Sequence, residues 1–452
     1  MRKLLAVVIF AIPAAIAQAA EGSQNLIDLY QAALSNDPAW ASARSANTAA
    51  QEKLEQGKAL YRPTVALNAD ASHSDTNIKY IGTGSVFRNG GPESFDSSSY
   101  GLNVNQPIFR MDNFIRYQQS KVQVTLADKE LMLAQQKLML RVSQAYFDVL
   151  LAQDKIELIN AQKNAINRQL EQAKANFEVG TATITDVNEA QARHDLTVAQ
   201  EIAYTNELAV KKHAVQSIIG QLPQTLASAR TDLKTSLPEP NDMEQWVQLA
   251  EQNNLELNIQ QQAFEIASKE VQRANAGHLP TLDAVGSYTS SYADGSANGF
   301  GSDLQNTTVG LRLQIPIYQG GAVSSRTREA VANKQKAQED VEVARRKAEL
   351  DTREAYLSVA SGVAQVKANE QALASSQSQL DSTNLGYEVG VRTSVDVLNA
   401  QQQYYSVKRD LLQARYSYLL STVRLKSATG MLNETDLAVV NQQLLANNQA
   451  AF

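Results

Sequence analysis

Two matching motifs place carboxylates at defined positions in the chain. Thr183-Ile-Thr-Asp186 and Thr393-Ser-Val-Asp396 each carry an aspartate three residues after a threonine. This spacing is typical of a capping box, in which the two side chains satisfy free backbone N–H groups at a helix start. A carboxylate in the first turn also interacts favourably with the helix dipole. The motifs therefore predict that helices begin after these threonines with an acidic first turn.

Side chains that support catalysis or metal binding do not gather elsewhere in the sequence. The four histidines are far apart, and none pairs with another at metal-ligand spacing. Cysteine is absent, which excludes disulfides, zinc ribbons and thiol nucleophiles. Neither a phosphate-binding loop nor a nucleophile elbow appears in the sequence. We predict that the chain is not an enzyme and holds no metal ion or cofactor.

The balance of charge argues against nucleic acid as a partner. The chain has 41 Lys and Arg residues against 47 Asp and Glu residues, a net charge of −6, whereas phosphate binding requires a basic surface. The basic cluster Arg345-Arg346-Lys347 lies between Glu342 and Glu349. Its spacing predicts ion pairs of Glu342 with Arg346 and of Arg345 with Glu349 on a solvated helix face.

The N-terminus has the three-part layout of a secretory signal peptide. Met1-Arg2-Lys3 is basic, Leu4–Ile16 is apolar, and Ala17-Gln18-Ala19 is a small-x-small cleavage site. A short membrane anchor is the alternative, although the apolar stretch is shorter than the roughly 20 residues that span a bilayer. We predict a signal peptide over residues 1–19 and export of the mature chain, which keeps 39 basic and 47 acidic residues, a net charge of −8.

An internal duplication organises the mature chain. Phe177-Glu-Val-Gly180 recurs as Tyr387-Glu-Val-Gly390, an offset of 210 residues. We predict a first structural repeat over residues 20–230 and a second over residues 231–452. Repeats of this length are too long for a solenoid, whose period is roughly 20–50 residues. The chain therefore consists of one unit in two copies.

Each repeat is predicted to contain a long hairpin of helices. The stretch from Ile108 to Val179 contains no Gly or Pro, and its apolar positions keep the heptad period of a coiled coil. Gly180 and Gly390 fit helix ends followed by a tight turn, after which a second run free of Gly and Pro returns. The predicted hairpins cover residues 109–220 and 322–430, and a C-terminal segment covers 431–452.

Four shorter segments alternate between apolar and polar residues with period two. In the first, Val65, Leu67, Ala69 and Ala71 form the apolar set. The predicted strands cover residues 63–75, 97–108, 280–292 and 305–317, with loops rich in Gly, Ser, Asn and Asp over 75–97 and 293–306. Segments of this kind are typical of membrane β-barrel strands. They are also typical of a soluble antiparallel sheet with one covered face, and the pattern leaves both open.

A membrane location would require several copies of the chain. Four strands cannot close a barrel, and open sheet edges in lipid leave backbone groups unpaired at a cost of several kcal/mol each. Two copies would give eight strands, whose interior side chains fill. Three copies would give twelve strands and room for a lumen.

Four groups of residues, in order along the chain, carry a resemblance to a known family. They are Phe177-Glu-Val-Gly180 with Thr183-Ile-Thr-Asp-Val187, Gly277-His-Leu-Pro-Thr281, Ile315-Pro-Ile-Tyr-Gln-Gly-Gly321, and Tyr387-Glu-Val-Gly390 with Thr393-Ser-Val-Asp-Val-Leu398. With these motifs the sequence resembles the TolC family of outer-membrane efflux and secretion channels. The resemblance covers essentially the whole mature chain, in both repeats.

The resemblance implies an internally duplicated α+β membrane protein with four transmembrane β-strands per protomer. A homotrimer would combine a twelve-stranded barrel with a long periplasmic α-helical coiled-coil barrel. Such channels lie in the outer membrane of Gram-negative bacteria, in contact with its lipid, and have a large periplasmic portion. They give drugs, small molecules or secreted proteins a passive exit, as in type I secretion. They dock with a periplasmic adaptor (membrane fusion) protein and an energised inner-membrane efflux pump or ABC secretion transporter.

The resemblance also implies a gate at the periplasmic tip, closed by polar links between neighbouring helices and lined by acidic rings. The positions of the link residues match Asp186, Tyr387 and Arg392, and one acidic ring matches Asp396. The second acidic position, one helical turn further on, is Asn399 here, which departs from the family. Losing this carboxylate from each protomer is expected to weaken the attraction and block of cations.

Each of these residues also has a purely structural explanation. Helix capping accounts for Asp186 and Asp396, a solvated turn accounts for Arg392, and packing at a heptad position accounts for Tyr387. Two other functions are considered for the whole chain. A periplasmic coiled-coil adaptor or scaffold would explain the helices but not the strands. A secreted hydrolase would need a convergent polar constellation, which the sequence lacks.

Overall fold

The structure, a computed structural model, describes residues 23–79, 81, 91–228, 233–296 and 300–444. The helices are α1 (Leu26–Asn36), α2 (Pro38–Ala59), α3 (Met111–Glu178), α4 (Ile184–Ile219), α5 (Met243–Asn253), α6 (Leu255–Asn275), α7 (Ala322–Glu388), α8 (Ser394–Ala428) and α9 (Glu434–Asn441). The strands are β1 (Thr64–Ile78), β2 (Gly91–Phe109), β3 (Thr281–Ala293) and β4 (Ser302–Gln314). The signal peptide predicted over residues 1–19 lies outside the described residues.

Two long helices determine the shape of the molecule. α3 has 68 residues and α7 has 67, so each extends for roughly 100 Å at 1.5 Å per residue. α4 packs against α3 and α8 packs against α7, which gives one long hairpin in each repeat. The heptad positions Val142, Val149 and Leu170 of α3 are buried, because this seam faces the neighbouring helices.

A second pair of helices precedes the strands in each repeat, and the periodicity argument did not assign these helices. Asn25 forms a capping box with Asp28 at the start of α1, and Asp37 caps α2 directly before Pro38. Asp37-Pro38 is a helix-start signal that the sequence offered, since proline is favoured in the first helical turn. α2 packs against α3 and α6 packs against α7. In each repeat the long helix therefore packs against the returning helix of its hairpin and against a shorter helix that precedes the strands.

The main hydrophobic core lies at the middle of the long helices. There the ends of α4 and α8 meet the middle of α3, with α1 and α9 packed around them. Tyr146 is fully buried in this core and donates a hydrogen bond to the Ala227 carbonyl oxygen at 2.5 Å. Gly362 of α7 faces Tyr418 of α8, and a Cβ at this glycine would lie 3.5 Å from the tyrosine Cβ. At that distance a Cβ would make only ordinary van der Waals contact, so the packing of the two helices does not require glycine at this position.

The strands form one antiparallel sheet in the order β1-β2-β3-β4. Three strands have bounds that differ by three residues or more from those expected, and β1 continues to Ile78 rather than ending at 75. β2 begins at Gly91 rather than at 97, because it pairs with β1 as far as Ile78 although the composition indicated a loop; pairing with a neighbouring strand outweighs local composition. β4 covers Ser302–Gln314 rather than 305–317, since Pro316 has no N–H to donate to a ladder.

Register places the apolar residues of all four strands on one face of the sheet. Leu67, Leu102 and Tyr288 are successive partners across β1, β2 and β3, and Gly286 of β3 pairs with Val309 of β4. Nothing in the described chain covers this face: Leu67 is 71% exposed and Val309 is 85% exposed. A soluble sheet would bury such a face against other elements. The soluble-sheet alternative is therefore wrong for this chain.

An ion pair with a buried carboxylate and a half-buried arginine joins the sheet to the helices. Arg110, between β2 and α3, donates from Nε to Asp283 Oδ1 at 2.8 Å and from Nη2 to Asp283 Oδ2 at 2.5 Å. Asp283 on β3 is only 4% exposed. The two parallel hydrogen bonds of the guanidinium join the two repeats at the end of the sheet where the long helices begin.

The ion pairs predicted around the basic cluster of α7 are confirmed. Arg346 Nε lies 2.7 Å from Glu342, and Arg345 pairs with Glu349. Arg345 also contacts Glu251 of α5, at 3.3 Å. The cluster therefore joins α7 to a neighbouring helix in addition to stabilising its own.

Candidate functional site at the tip of the helical hairpins

Both long hairpins turn at a glycine in the left-handed region. Gly180 has φ +78° and Gly390 has φ +79°. The next residue in each turn donates a backbone hydrogen bond back into the helix, from Thr181 to Asn176 at 2.8 Å and from Val391 to Gly386 at 2.9 Å. Glycine adopts this backbone conformation without steric cost, which explains its place just after the helix.

A capping box starts each returning helix. The Thr183 backbone N–H and hydroxyl donate to Asp186 Oδ2 at 2.9 and 2.7 Å, and Thr393 makes the same two bonds to Asp396 at 2.9 Å each. The Thr183 bonds hold the pKa of Asp186 below its usual value. The Thr393 bonds, helped by the charge of Arg392, lower the pKa of Asp396. Both carboxylates are therefore ionised at neutral pH, and the structural explanation by capping is confirmed.

Two polar contacts join the two hairpins next to the turns. The Ser394 hydroxyl of α8 donates to Asp186 Oδ1 at 3.3 Å, using the carboxylate oxygen that the cap leaves free. The Asn176 side chain of α3 donates to the Tyr387 hydroxyl of α7 at 3.3 Å. Asp186 and Tyr387 thus both touch the opposite repeat, and their partners Asn176 and Ser394 were missed by the sequence argument.

Arg392 and Asp396 are placed differently. Arg392 is exposed in the return turn and packs over Gly386, where an added Cβ would lie 2.7 Å from its Cγ. Within the described residues of one chain, no carboxylate forms an ion pair with Arg392 at 4.0 Å or less. Asp396 makes its hydrogen bonds to the cap of its own helix. Arg392 and Asp186 line the same cavity at the tip, together with Tyr387, but within the described residues of one protomer they form no ion pair.

Asn399 is exposed one turn beyond Asp396 on α8, and its side-chain oxygen accepts a hydrogen bond from Arg193 Nη2 at 3.1 Å. Arg193 belongs to α4 of the other hairpin. It was not among the residues singled out from the sequence. The signal available for it was Glu189, four residues earlier, with which it forms an i,i+4 pair.

Further from the tip, a carboxyl group lies between the hairpins. The Tyr416 hydroxyl of α8 donates to Asp154 Oδ2 of α3 at 2.6 Å, and the tyrosine ring packs on Phe147 with 5.9 Å between centroids. Burial raises the pKa of Asp154 to about 6, and the nearby Glu157 adds to the shift while the Tyr416 bond opposes it. This group titrates close to neutral pH, unlike the carboxylates of the tip.

The described residues lack both a membrane-spanning helix and a metal-binding cluster. No described helix is long and apolar enough to cross a membrane. Among the same residues, no three His, Asp or Glu side chains come together as a metal site would require. The apolar face of the sheet is uncovered by the described residues, and β2 and β4 lead into the long helices of the two hairpins.

Comparisons with known proteins identify the class. The family described as outer membrane efflux protein matches residues 29–221 and 246–431, one segment in each repeat. Outer membrane protein TolC of Vibrio cholerae is 33% identical over 98% of this chain and 99% of its own length. Alkaline protease secretion protein AprF of Pseudomonas aeruginosa is 30% identical over 94% of this chain and 88% of its own. The crystal structure of VceC from Vibrio cholerae has the same fold, with a TM-score of 0.74 and 19% identity over 90% of this chain and 96% of that one.

The chain belongs to the outer membrane efflux protein family. It is accordingly an outer-membrane channel protein with a periplasmic portion, and the TolC family resemblance seen in the sequence is confirmed. The alternative of a periplasmic adaptor or scaffold is wrong, because the family match includes the strands as well as the helices.

Proposed function

We propose that three copies of the chain form one channel, with a twelve-stranded barrel in the outer membrane and a helical barrel in the periplasm. The observation that carries this proposal is the uncovered apolar face of the sheet. β1 and β4 are the two outer strands, and in lipid their free edges would each leave a row of backbone groups unpaired. Pairing β4 of one copy with β1 of the next removes every edge, and twelve strands leave room for a lumen.

The helices support the same assembly. Val343, Leu350 and Leu357 are exposed on α7 at intervals of seven residues, which is a coiled-coil seam without a partner among the described residues of its own chain. On α4, Leu196 and Val210 are exposed as well. Exposed apolar stripes of this length mark an interface. A second and a third copy would bury these stripes between neighbouring hairpins.

The channel offers a passive exit and has no enzymatic role in the proposal. One relative is named as a secretion protein for an alkaline protease and the family as efflux proteins. We assign to this chain the exit of drugs, small molecules or secreted proteins. A periplasmic adaptor protein would dock with it, and an inner-membrane efflux pump or ABC secretion transporter would supply the energy.

The hairpin tips form the gate in this proposal. Asp186 and Tyr387 hold the two hairpins of one copy together through Ser394 and Asn176. Arg392 forms no ion pair at 4.0 Å or less with the described residues of its own chain, so we assign such a partner to the adjoining copy. Asp396 provides one acidic ring at the constriction. Asn399 occupies the second ring position without a charge.

Gel electrophoresis of unheated samples and planar-bilayer recording test the assembly. Purified protein from the outer-membrane fraction should run as a trimer and form ion-conducting channels. Leu350→Asp should abolish the trimer band, because it places a charge in the proposed seam. Ser378→Ala, at an exposed position of the same helix beyond this seam, is the control. A soluble periplasmic monomer, or a Leu350→Asp variant that still runs as a trimer, would contradict the proposal.

The cargo needs a separate experiment. Deleting the protein and measuring drug susceptibility alongside the secreted proteome distinguishes the two kinds of exit. Greater drug sensitivity assigns efflux, and loss of a secreted protein assigns secretion. A deletion strain that is unchanged in both would contradict the proposed transport function.

A further inference from the structure

The side chain of Arg193 on α4 crosses to the facing helix α8. Its Nη2 donates to Asn399 Oδ1 at 3.1 Å, and its Nη1 donates to Gln402 Oε1. Asn399 and Gln402 are three residues apart, so they lie on the same face of α8. One guanidinium therefore holds two side chains of the opposite hairpin.

Glu189 orients this guanidinium. Arg193 Nε donates to Glu189 Oε1 at 3.0 Å, across one turn of α4. An acid placed four residues before a base is the favourable order along a helix. The Arg193 side chain is 28% exposed, so the bonds are partly shielded from water. All three guanidinium nitrogens have an acceptor, an arrangement that needs the rigid fork of arginine and that lysine does not reproduce.

The apolar contact beside this link is small. Ile166, Leu170 and Ala173 of α3 and Ala190 of α4 form a cluster to which α8 contributes Leu398. Leu398 directly precedes Asn399. Because little apolar surface holds α8 to the first hairpin at this level, the hydrogen bonds of Arg193 provide a large share of the attachment.

We propose that Arg193 is a latch of the tip, holding α8 against α4 in the closed channel and shielding position 399 from cations with its own charge. The proposal rests on the function of the tip as a gate. It adds a positioning residue that the capping motifs and the link residues do not include. The latch is not duplicated, since the residue 210 positions after Arg193 is Gln403.

Planar-bilayer recording of Arg193→Gln tests the latch. Losing hydrogen bonds from a charged donor in each of three copies should raise the ratio of open to closed channels by more than roughly a hundredfold. Arg193→Lys should fail to restore the wild-type ratio, because it keeps the charge and loses the fork. Arg346→Gln removes one exposed arginine whose partner Glu342 is on its own helix, and it should leave the ratio unchanged.

A double-mutant cycle tests whether Arg193 acts through α8. The pair Asn399→Ala and Gln402→Ala should open the channel by a similar factor, and adding Arg193→Gln should then change little. If the effects multiply, Arg193 does not act through these acceptors and the latch is wrong. The acceptor variants also provide the test if Arg193→Gln gives no trimer on an unheated gel.

A charge test separates the latch from ordinary packing. Asn399→Asp should leave block by a divalent cation such as Mg²⁺ nearly unchanged, because Arg193 pairs with the new carboxylate. Asn399→Asp combined with Arg193→Gln should strengthen the block by roughly tenfold. Equal block in the two variants would contradict the shielding role.

Two outcomes distinguish the gate proposal from the latch proposal. If Ser394→Ala opens the channel and Arg193→Gln does not, the latch is wrong and the gate stands. If neither variant opens the channel, the assignment of the tip as a gate is wrong and the latch falls with it.

Discussion

The two hairpin tips share a backbone and differ in the side chains that face each other. Gly180 and Gly390 have nearly the same φ, and both returning helices begin with a capping box. Asp186 nevertheless accepts a hydrogen bond from Ser394 of the other repeat. The residue of the first repeat that corresponds to Ser394 is Ile184, which is 51% exposed and has no donor. The contact is therefore one-sided.

The two tips also differ in which of two neighbouring positions, one in the helix and one in the turn, has the larger side chain. The first tip has Asn176 in the helix and Ala182 in the turn, and the second has Gly386 and Arg392 at the corresponding positions. Gly386 leaves space for the arginine, since an added Cβ would lie 2.7 Å from its Cγ. Asn176 instead reaches across to the hydroxyl of Tyr387.

The comparison separates two kinds of constraint. Turn geometry and capping are required for each hairpin to fold, and both copies of the duplicated unit keep them. Each contact between the hairpins joins one residue of the first repeat to a different residue of the second. The two repeats have therefore been free to differ in the side chains that make these contacts. Asymmetry between the repeats therefore marks the positions where the hairpins meet.

The largest expected effect concerns the asymmetric pair further from the tip, where Asp154 corresponds to Ala364. Because the pKa of Asp154 is raised to about 6 in the folded protein, its protonated form favours the fold. This contribution to stability is fully present below about pH 4 and is lost between about pH 4 and 6, by up to about 3 kcal/mol per protomer. Thermal unfolding of the trimer between pH 4 and 7 measures this.

Asp154→Asn should flatten that pH dependence, since an amide still accepts the Tyr416 bond. Asp148→Asn is the matched control on the same helix, because Asp148 pairs with Lys211 at 2.9 Å, and it should leave the dependence in place. If the stability changes from pH 4 to 7 by the same amount in the wild type, in Asp154→Asn and in Asp148→Asn, then Asp154 is not the source of the pH dependence.

The links at the tip come next. Asp186→Ala, Tyr387→Phe, Arg392→Ser and Ser394→Ala should each raise single-channel conductance. One hydrogen bond is worth about 1 kcal/mol, so three copies give about 3 kcal/mol, roughly a hundredfold in the ratio of open to closed channels. Ser394→Ala is the cleanest of these because it leaves the cap of Asp186 intact.

Ser378→Ala is the control for that series. Its hydroxyl donates to the Ala374 carbonyl of its own helix at 3.1 Å and joins no other element through that bond. It should conduct like the wild type. Unchanged conductance across all four link variants would remove the gate assignment.

A smaller effect distinguishes the two capping aspartates. Asp396→Ala should weaken block by divalent cations, by roughly tenfold in the blocking concentration, because it removes a carboxylate from each copy at the constriction. Ser394→Ala, which changes the link and no charge, should retain cation block. Block that is unaffected by Asp396→Ala would show that this residue does not line the constriction.

The smallest expected effect concerns the space that Gly386 leaves for the Arg392 side chain. Gly386→Ala should displace Arg392 and cost about 1–3 kcal/mol locally, while Ala182→Gly at the corresponding turn position should leave the first tip in place. Hydrogen exchange of the tip amides measures both. Equal protection of the second tip in Gly386→Ala and the wild type would show that the arginine is free to move aside.

The periodic features of the sequence were sufficient for most of the fold. The heptad pattern predicted the long helices, because the same heptad positions face neighbouring helices along α3 and α7. Alternation in Val65–Ala71 and its counterparts located the strands for the same reason. The loop expected before β2 was partly strand, since hydrogen bonding of Gly91–Ser97 to β1 does not depend on side-chain type.

The candidate site could be predicted only in part. Capping motifs and glycine turns are local in sequence, so Asp186, Asp396, Gly180 and Gly390 could be found without a structure. Contacts such as Ser394 with Asp186, or Arg193 with Asn399, join residues more than 200 positions apart. A single sequence contains no periodic signal for such pairs, and the resemblance to a family supplied only the members that the family shares.

In the proposed mechanism the channel opens when the two hairpins separate at their tips. The chain contains no cysteine, so Asp186→Cys with Ser394→Cys provides a unique pair for a short, reducible thiol cross-linker. Single channels of the cross-linked protein should stay in a low-conductance state, and the same channels should rise to high conductance when a reductant is added. Equal conductance before and after reduction would contradict this mechanism.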